Sequence, residues 1–142
     1  WMLRDAALKS AAALNAKELS EQIEQRLHDD ALIVRTTAVV TIGHLNLKES
    51  APKLVESLFD QNNYVSGKAL WIHKYILQVL RDFKYSAAVP KLVQLLETTQ
   101  DEKLKRQVVD ALENLTGKTF PNKSLQEQVY LWKRNAVADK VF

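Results

Sequence analysis

Asp30-Ala31-Leu32-Ile33-Val34-Arg35-Thr36-Thr37-Ala38-Val39-Val40-Thr41-Ile42-Gly43-His44-Leu45-Asn46 is the stretch that decides the fold. Ala38, Ile42 and Leu45 recur at spacings of four and three, which puts them on one face of a helix; the period of two that a half-buried strand needs is absent. Displacing the chain by 31 residues lays the stretch over an earlier copy of itself. Val34 and Arg35 fall on Leu3 and Arg4, Ala38 on Ala7, and Leu45 and Asn46 on Leu14 and Asn15. Further on, Leu54 and Leu58 fall on Ile23 and Leu27, and Asp60 on Asp29.

The same procedure extends toward the C-terminus. A displacement of 38 carries Pro52, Lys53, Leu54, Val55 and Leu58 onto Pro90, Lys91, Leu92, Val93 and Leu96. The excess, 38 − 31 = 7 residues, lies between Asp60 and Ile72, where Gln61, Asn62, Asn63, Tyr64, Ser66 and Gly67 read as a lengthened turn. A displacement of 32 then sets Leu104, Val108, Val109, Leu112 and Leu115 over Ile72, Ile76, Leu77, Leu80 and Phe83. Four units follow, at about 1–31, 32–64, 65–102 and 103–142, each with two helices. The expected helices span 2–14 with 17–28, 32–45 with 48–59, 67–83 with 87–97, and 103–115 with 124–138.

Punctuation agrees with that division. Asn15, Asn46 and Gly117 suit the left-handed residue that closes a first helix. Pro52 and Pro90 sit near the starts of second helices, where the first-turn amides have no acceptor to lose. Asp30, Ser66 and Asp101 are expected N-caps, and Ser124 with Glu127 has capping-box spacing.

Composition narrows the function classes. A chain of 142 residues suits one domain, and 20 basic against 17 acidic residues leave a net charge of +3, a small excess interleaved with opposite sign. The absence of cysteine excludes disulfides, thiolate metal sites and thiol catalysis. No apolar run is long enough to span a bilayer, so no membrane insertion of this segment is expected. Trp1 leads directly into an amphipathic pattern at Leu3, Ala6, Ala7 and Leu8, as in a repeat domain taken from a longer protein.

These residues resemble the bacterial HEAT-repeat family, including the HEAT-like repeats first associated with phycobilisome lyases. Their units read approximately D-x-x-x-V-R-x-x-A-x-x-x-L followed by a-V-P-x-L-x-x-L. Asp30, Val34, Arg35, Ala38 and Leu45 carry the first half, and Ala88, Val89, Pro90, Leu92 and Leu96 the second. The closing Leu115-Thr116-Gly117-Lys118, with Trp132 beyond it, is similar to the end segment of such proteins. The resemblance implies an all-α, right-handed solenoid of about four helical hairpins, first helices on the convex face and second helices lining the concave one. Scaffolds, adaptors and regulators predominate in that architecture, so function has to come from residues.

Residue by residue, binding is better supported than catalysis. No nucleophile motif, phosphate-cradling glycine loop or paired carboxylates are found, so no enzyme activity and no cofactor are expected. His28, His44 and His73 occupy different repeat positions and none is followed by glutamate, so no metal is expected either. Arg4, Arg35, His73 and Lys105 form a cationic ladder at first-helix starts, expected to make structural ion pairs with nearby aspartates. Trp71 and Tyr75 are expected in the core, with a stacking surface as the alternative, and Trp132 is expected to close the stack. Gly43 inside a first helix calls for close helix packing.

The candidate site is the outward side of the second helices. Lys53, Glu56 and Ser57 of the second unit have counterparts Gln22, Gln25 and Arg26 in the first and Lys91, Gln94 and Leu95 in the third. Together they form a polar stripe with Leu95 as its exposed apolar member, facing a protein or peptide partner; Lys9 and Thr41 mark the convex side. Nucleic-acid binding through the basic excess and ligand processing of the lyase type are the alternatives.

Overall fold

The computed structural model describes the backbone of residues 1–141 and the side chains of residues 1–136. Among the described residues there are eight α-helices: α1 Met2–Ala13, α2 Ser20–Gln25, α3 Leu32–His44, α4 Ala51–Ser57, α5 Ile72–Asp82, α6 Val89–Thr98, α7 Glu102–Thr116 and α8 Leu125–Val141. Short 3-10 turns lead into α2, α4 and α6, so each second helix starts later as an α-helix than its apolar spacing suggests. The odd-numbered helices pack in sequence, α1 on α3, α3 on α5 and α5 on α7. The even-numbered ones fill in beside them: α2 lies against α3, α4 against α5, and α6 against both α7 and α8.

The repeat register holds in the core. Val34, Ala38, Ile42, Leu45, Leu54, Leu58, Ile72, Ile76, Leu80, Leu92, Leu96, Val108 and Leu112 are all buried in one continuous apolar cluster. Their burial is the main stabilising term for such a stack, since each unit covers the apolar face of its neighbour. At the far end Trp132 is buried edge-on against Phe120, with ring centroids 5.1 Å apart.

The first-helix turns recur with the same backbone geometry. Asn15, Asn46 and Lys84 have φ of 53°, 55° and 52°. In each case the next amide reaches back five residues: Ala16 to the carbonyl of Ala11, Leu47 to Ile42, and Tyr85 to Leu80. This is the left-handed helix stop that satisfies otherwise orphaned carbonyls. Asparagine accepts that φ at little cost, whereas Lys84 adopts it without such help. Gly117, at φ 72°, ends α7.

Three boundary expectations need correction. The helix expected from residue 67 starts at Ile72, because residues 64–69 form a two-residue antiparallel ladder pairing Tyr64 with Ala69 and Val65 with Lys68. Ser66 is no cap; it sits at φ 50° beside Gly67 at the ladder's tip, where a tight hairpin needs left-handed residues. The carboxylate at the start of α3 is that of Asp29 and not Asp30, since Asp29 accepts the Ala31 amide at 3.0 Å. Asp101 caps α7 through the amides of Lys103 and Leu104, and Ser124 and Glu127 form the reciprocal capping box.

Gly43 has a packing reason. A Cβ built there would lie 2.8 Å from Cγ2 of Val79 on α5, and a β-branched neighbour has no spare rotamer with which to yield. The Gly43→Ala variant is therefore expected to lose more through the clash than it gains in helix propensity. In a double-mutant cycle with Val79→Ala, the pair should show favourable coupling of about 1 kcal/mol. Additive losses measured by urea unfolding would show that the contact is not what selects glycine.

Candidate partner-binding site

Seven of the nine stripe residues are where the repeat arithmetic places them. Gln22, Gln25, Arg26, Lys53, Glu56, Lys91 and Gln94 are exposed along α2, the 3-10 turn that extends it, α4 and α6. Two are not. Ser57 and Leu95 are each only 2% exposed, so neither is presented to solvent. The cause is the seven-residue expansion. The Ser57 carbonyl accepts from the Asn63 side chain at 3.0 Å, while its hydroxyl donates to the Lys53 carbonyl at 3.1 Å. Leu95 forms the floor of a cleft bounded by Phe59, Tyr64, Gly67 and Thr98. Arg26, in the unit without an expansion, stays open and pairs with Asp29 at 3.6 Å.

Charges on the stripe are engaged locally. Lys53 lies 3.6 Å from Glu56, and Lys91 donates to Gln94 at 3.4 Å while standing 5.9 Å over the Phe59 ring. Such exposed contacts are worth about 0 to 1 kcal/mol, so a partner can displace them at little cost.

Two of the four residues of the cationic ladder, Arg35 and His73, turn out to be backbone latches. Arg4 alone makes the expected ion pair, donating through Nε to Asp29 at 2.6 Å, with a second donation from Nη2 at 3.0 Å. The Arg4 hydrogen bond holds the Asp29 carboxyl well below its ordinary value, at about 2. Arg35 is buried and pairs with no carboxylate. Its guanidinium donates to the carbonyls of Asp29, Asp30 and Asn62, and Nε donates to the Asn63 side-chain oxygen at 2.9 Å. The two ring nitrogens of buried His73 face the carbonyls of Leu70 at 3.0 Å and Leu58 at 3.2 Å. Burial pushes the His73 pKa down, against the pull of those two carbonyls. Lys105 makes no ion pair among the described residues. Of these acceptors the Leu58 carbonyl stands at the end of α4, where a helix leaves carbonyls without an amide partner, and His73 meets it there.

Asn63 is the residue that sequence reasoning missed. It is fully buried and joins Arg35 to the Ser57 carbonyl, yet it belongs to the expansion, which has no counterpart under the displacement of 31. Asp101 also does more than cap a helix, for its second oxygen accepts the Ala69 amide at 2.9 Å and ties the hairpin to α7. Burial works to raise its pKa, but the amides of Ala69, Leu104 and Lys103 prevail and keep it below the usual carboxylate value.

Trp71 and Tyr75 overturn the expectation of core packing. They are 55% and 41% exposed, because the inward face of α5 is taken by Ile72, Ile76 and Leu80. Thr41, expected on the convex surface, is buried with its hydroxyl toward the Leu8 carbonyl. Of the histidines, His28 stands 3.9 Å from Asp60 and His44 is exposed at the end of α3. No group of three or more potential metal ligands converges among the described residues.

Residues 86–117 match the family model of the armadillo/beta-catenin-like repeat. The matched segment runs from the 3-10 turn before α6 to the end of α7, and so joins one even-numbered helix to the odd-numbered helix that follows it. No curated protein and no solved structure matches the chain. With its helical architecture the match places the chain among helical-repeat proteins in the broad sense, and armadillo-type repeats generally bind proteins. No described helix is long and apolar enough to cross a membrane.

Proposed function

We propose that this chain is a non-catalytic protein-binding module, a HEAT-like right-handed solenoid of four helical hairpins, whose partner lies on the concave, second-helix side. The observation that carries this reading is the recurrence of exposed polar side chains at matching positions of three second helices: Gln22 and Gln25, Lys53 and Glu56, Lys91 and Gln94. A ligand spanning them contacts several units and orders no loop. Lys53 and Lys91 already have neighbours in Glu56 and Gln94, so the stripe offers a protein surface more than a run of free cations for a phosphate backbone.

The test is charge reversal at Lys53 and Lys91 together, both to glutamate, with quantitative mass spectrometry of the proteins that co-purify with the chain. The expected result is loss of the proteins enriched by the wild type, with the melting temperature unchanged, since both side chains are exposed. Enrichment that survives the double reversal but disappears on altering residues 61–70 or Lys9 would refute the concave reading.

A further inference from the structure

The first-helix side carries a second surface of different chemistry. Ile33, Thr36 and Val40 fall on one face of α3, and Lys74 and Tyr75 fall on one face of α5 with Trp71, the helical-φ residue that precedes it. Two contacts fix how these faces meet. The Trp71 indole donates to the Thr36 hydroxyl at 3.1 Å, and seven residues further along α3 Gly43 abuts Val79. The two helices therefore run side by side in the same direction, which brings Val40 alongside Tyr75. Ile33, Val40, Trp71 and Tyr75 are 39%, 46%, 55% and 41% exposed, large apolar side chains on the outward faces of two adjacent helices. Grouped large apolar side chains of this kind mark interaction sites, and tryptophan and tyrosine are the residues most often decisive there.

The border of the patch says what fits it. Trp71 and Lys74 share a cleft with Lys103 and Gln107 at the starts of α5 and α7. Neither Lys74 nor Lys103 forms an ion pair among the described residues, whereas Lys9 is held by Asp5 at 2.7 Å and Arg106 by Glu102 at 3.6 Å. The carboxylate at the cleft, Asp101, is buried with its oxygens bonded to three amides, and it forms no ion pair with either lysine. The geometry points to an acidic amphipathic helix as the occupant, its apolar ridge over Trp71, Tyr75, Val40 and Ile33 and its carboxylates toward Lys74 and Lys103. This surface rests on the reading of the chain as a protein-binding module but is separate from the second-helix stripe.

Calorimetric titration with two synthetic helical peptides tests it, the peptides sharing one leucine ridge and differing only in glutamates or lysines along its flank. The glutamate peptide is expected to bind, and the lysine peptide is expected to bind at least about tenfold more weakly. Trp71→Ala, and separately Lys74→Glu with Lys103→Glu, should each weaken the glutamate peptide by about tenfold or more with the melting temperature nearly unchanged. Lys53→Glu with Lys91→Glu should leave it unaffected, which separates failure here from failure of the concave reading. Absence of glutamate-peptide binding, equal affinity for both peptides, or indifference to Trp71→Ala overturns the assignment. So does binding confined to phosphatidylglycerol vesicles, which would make this face a membrane contact.

Discussion

Arg35→Ala is expected to destabilise the fold by about 3 kcal/mol, a loss set by what the guanidinium leaves behind. The side chain is 5% exposed and donates to three backbone carbonyls and one side-chain oxygen. Two of those carbonyls, of Asp29 and Asp30, lie just before α3, while Asn62 and Asn63 lie in the expansion before α5. Alanine leaves the buried Asn63 side-chain oxygen and three part-buried carbonyls without their donor, so the cost exceeds that of a surface arginine. Lysine should recover only part of it, since a single ammonium cannot reproduce the planar fork that serves both segments. Urea unfolding of both variants decides the matter. A loss below about 1 kcal/mol for Arg35→Ala would mean that the latch is dispensable.

Leu54→Ala and Leu92→Ala, counterparts under the displacement of 38, should each lose about 2 to 5 kcal/mol. Both side chains are wholly buried, in α4 and α6 respectively. Truncation removes transfer free energy and leaves a cavity that neighbouring helices fill only in part. The denaturant slope should stay close to that of the wild type, because the surface exposed on unfolding hardly changes. Near-neutral results at both positions would contradict the register on which the repeat rests.

Much of the fold was legible because core spacing and turn chemistry repeat. Asn15 and Asn46 announce the left-handed stop, and the third stop at Lys84 follows only by counting 38 from Asn46, since lysine carries no local signal for that conformation. The expansion was legible as extra length but not as structure. A two-residue ladder is too short to show periodicity, and the burial of Asn63 depends on Arg35, a residue 28 positions earlier. The candidate stripe was legible wherever the helix face alone decides exposure, as at Lys53, Glu56, Lys91 and Gln94. It failed at Ser57 and Leu95, where a segment from outside the helix closes over the face. Trp71 and Tyr75 failed for a related reason. Large aromatic residues are core residues by composition, and only the phase of α5 shows that they sit one step off the inward row.

The helix stops at Asn15 and Asn46 also bear on how such a chain can lengthen or shorten. The two turns share φ and hydrogen bonding and lie one 31-residue period apart, so a recombination event that duplicates or excises that period rejoins the backbone in the geometry it left. The next junction lacks that interchangeability. Removing the expansion strips Arg35 of the Asn62 carbonyl and the Asn63 side chain, and removes the Ala69 amide from Asp101. The early part of the chain is thus built as exchangeable stock, whereas the second and third units are mated to one another and must be inherited together.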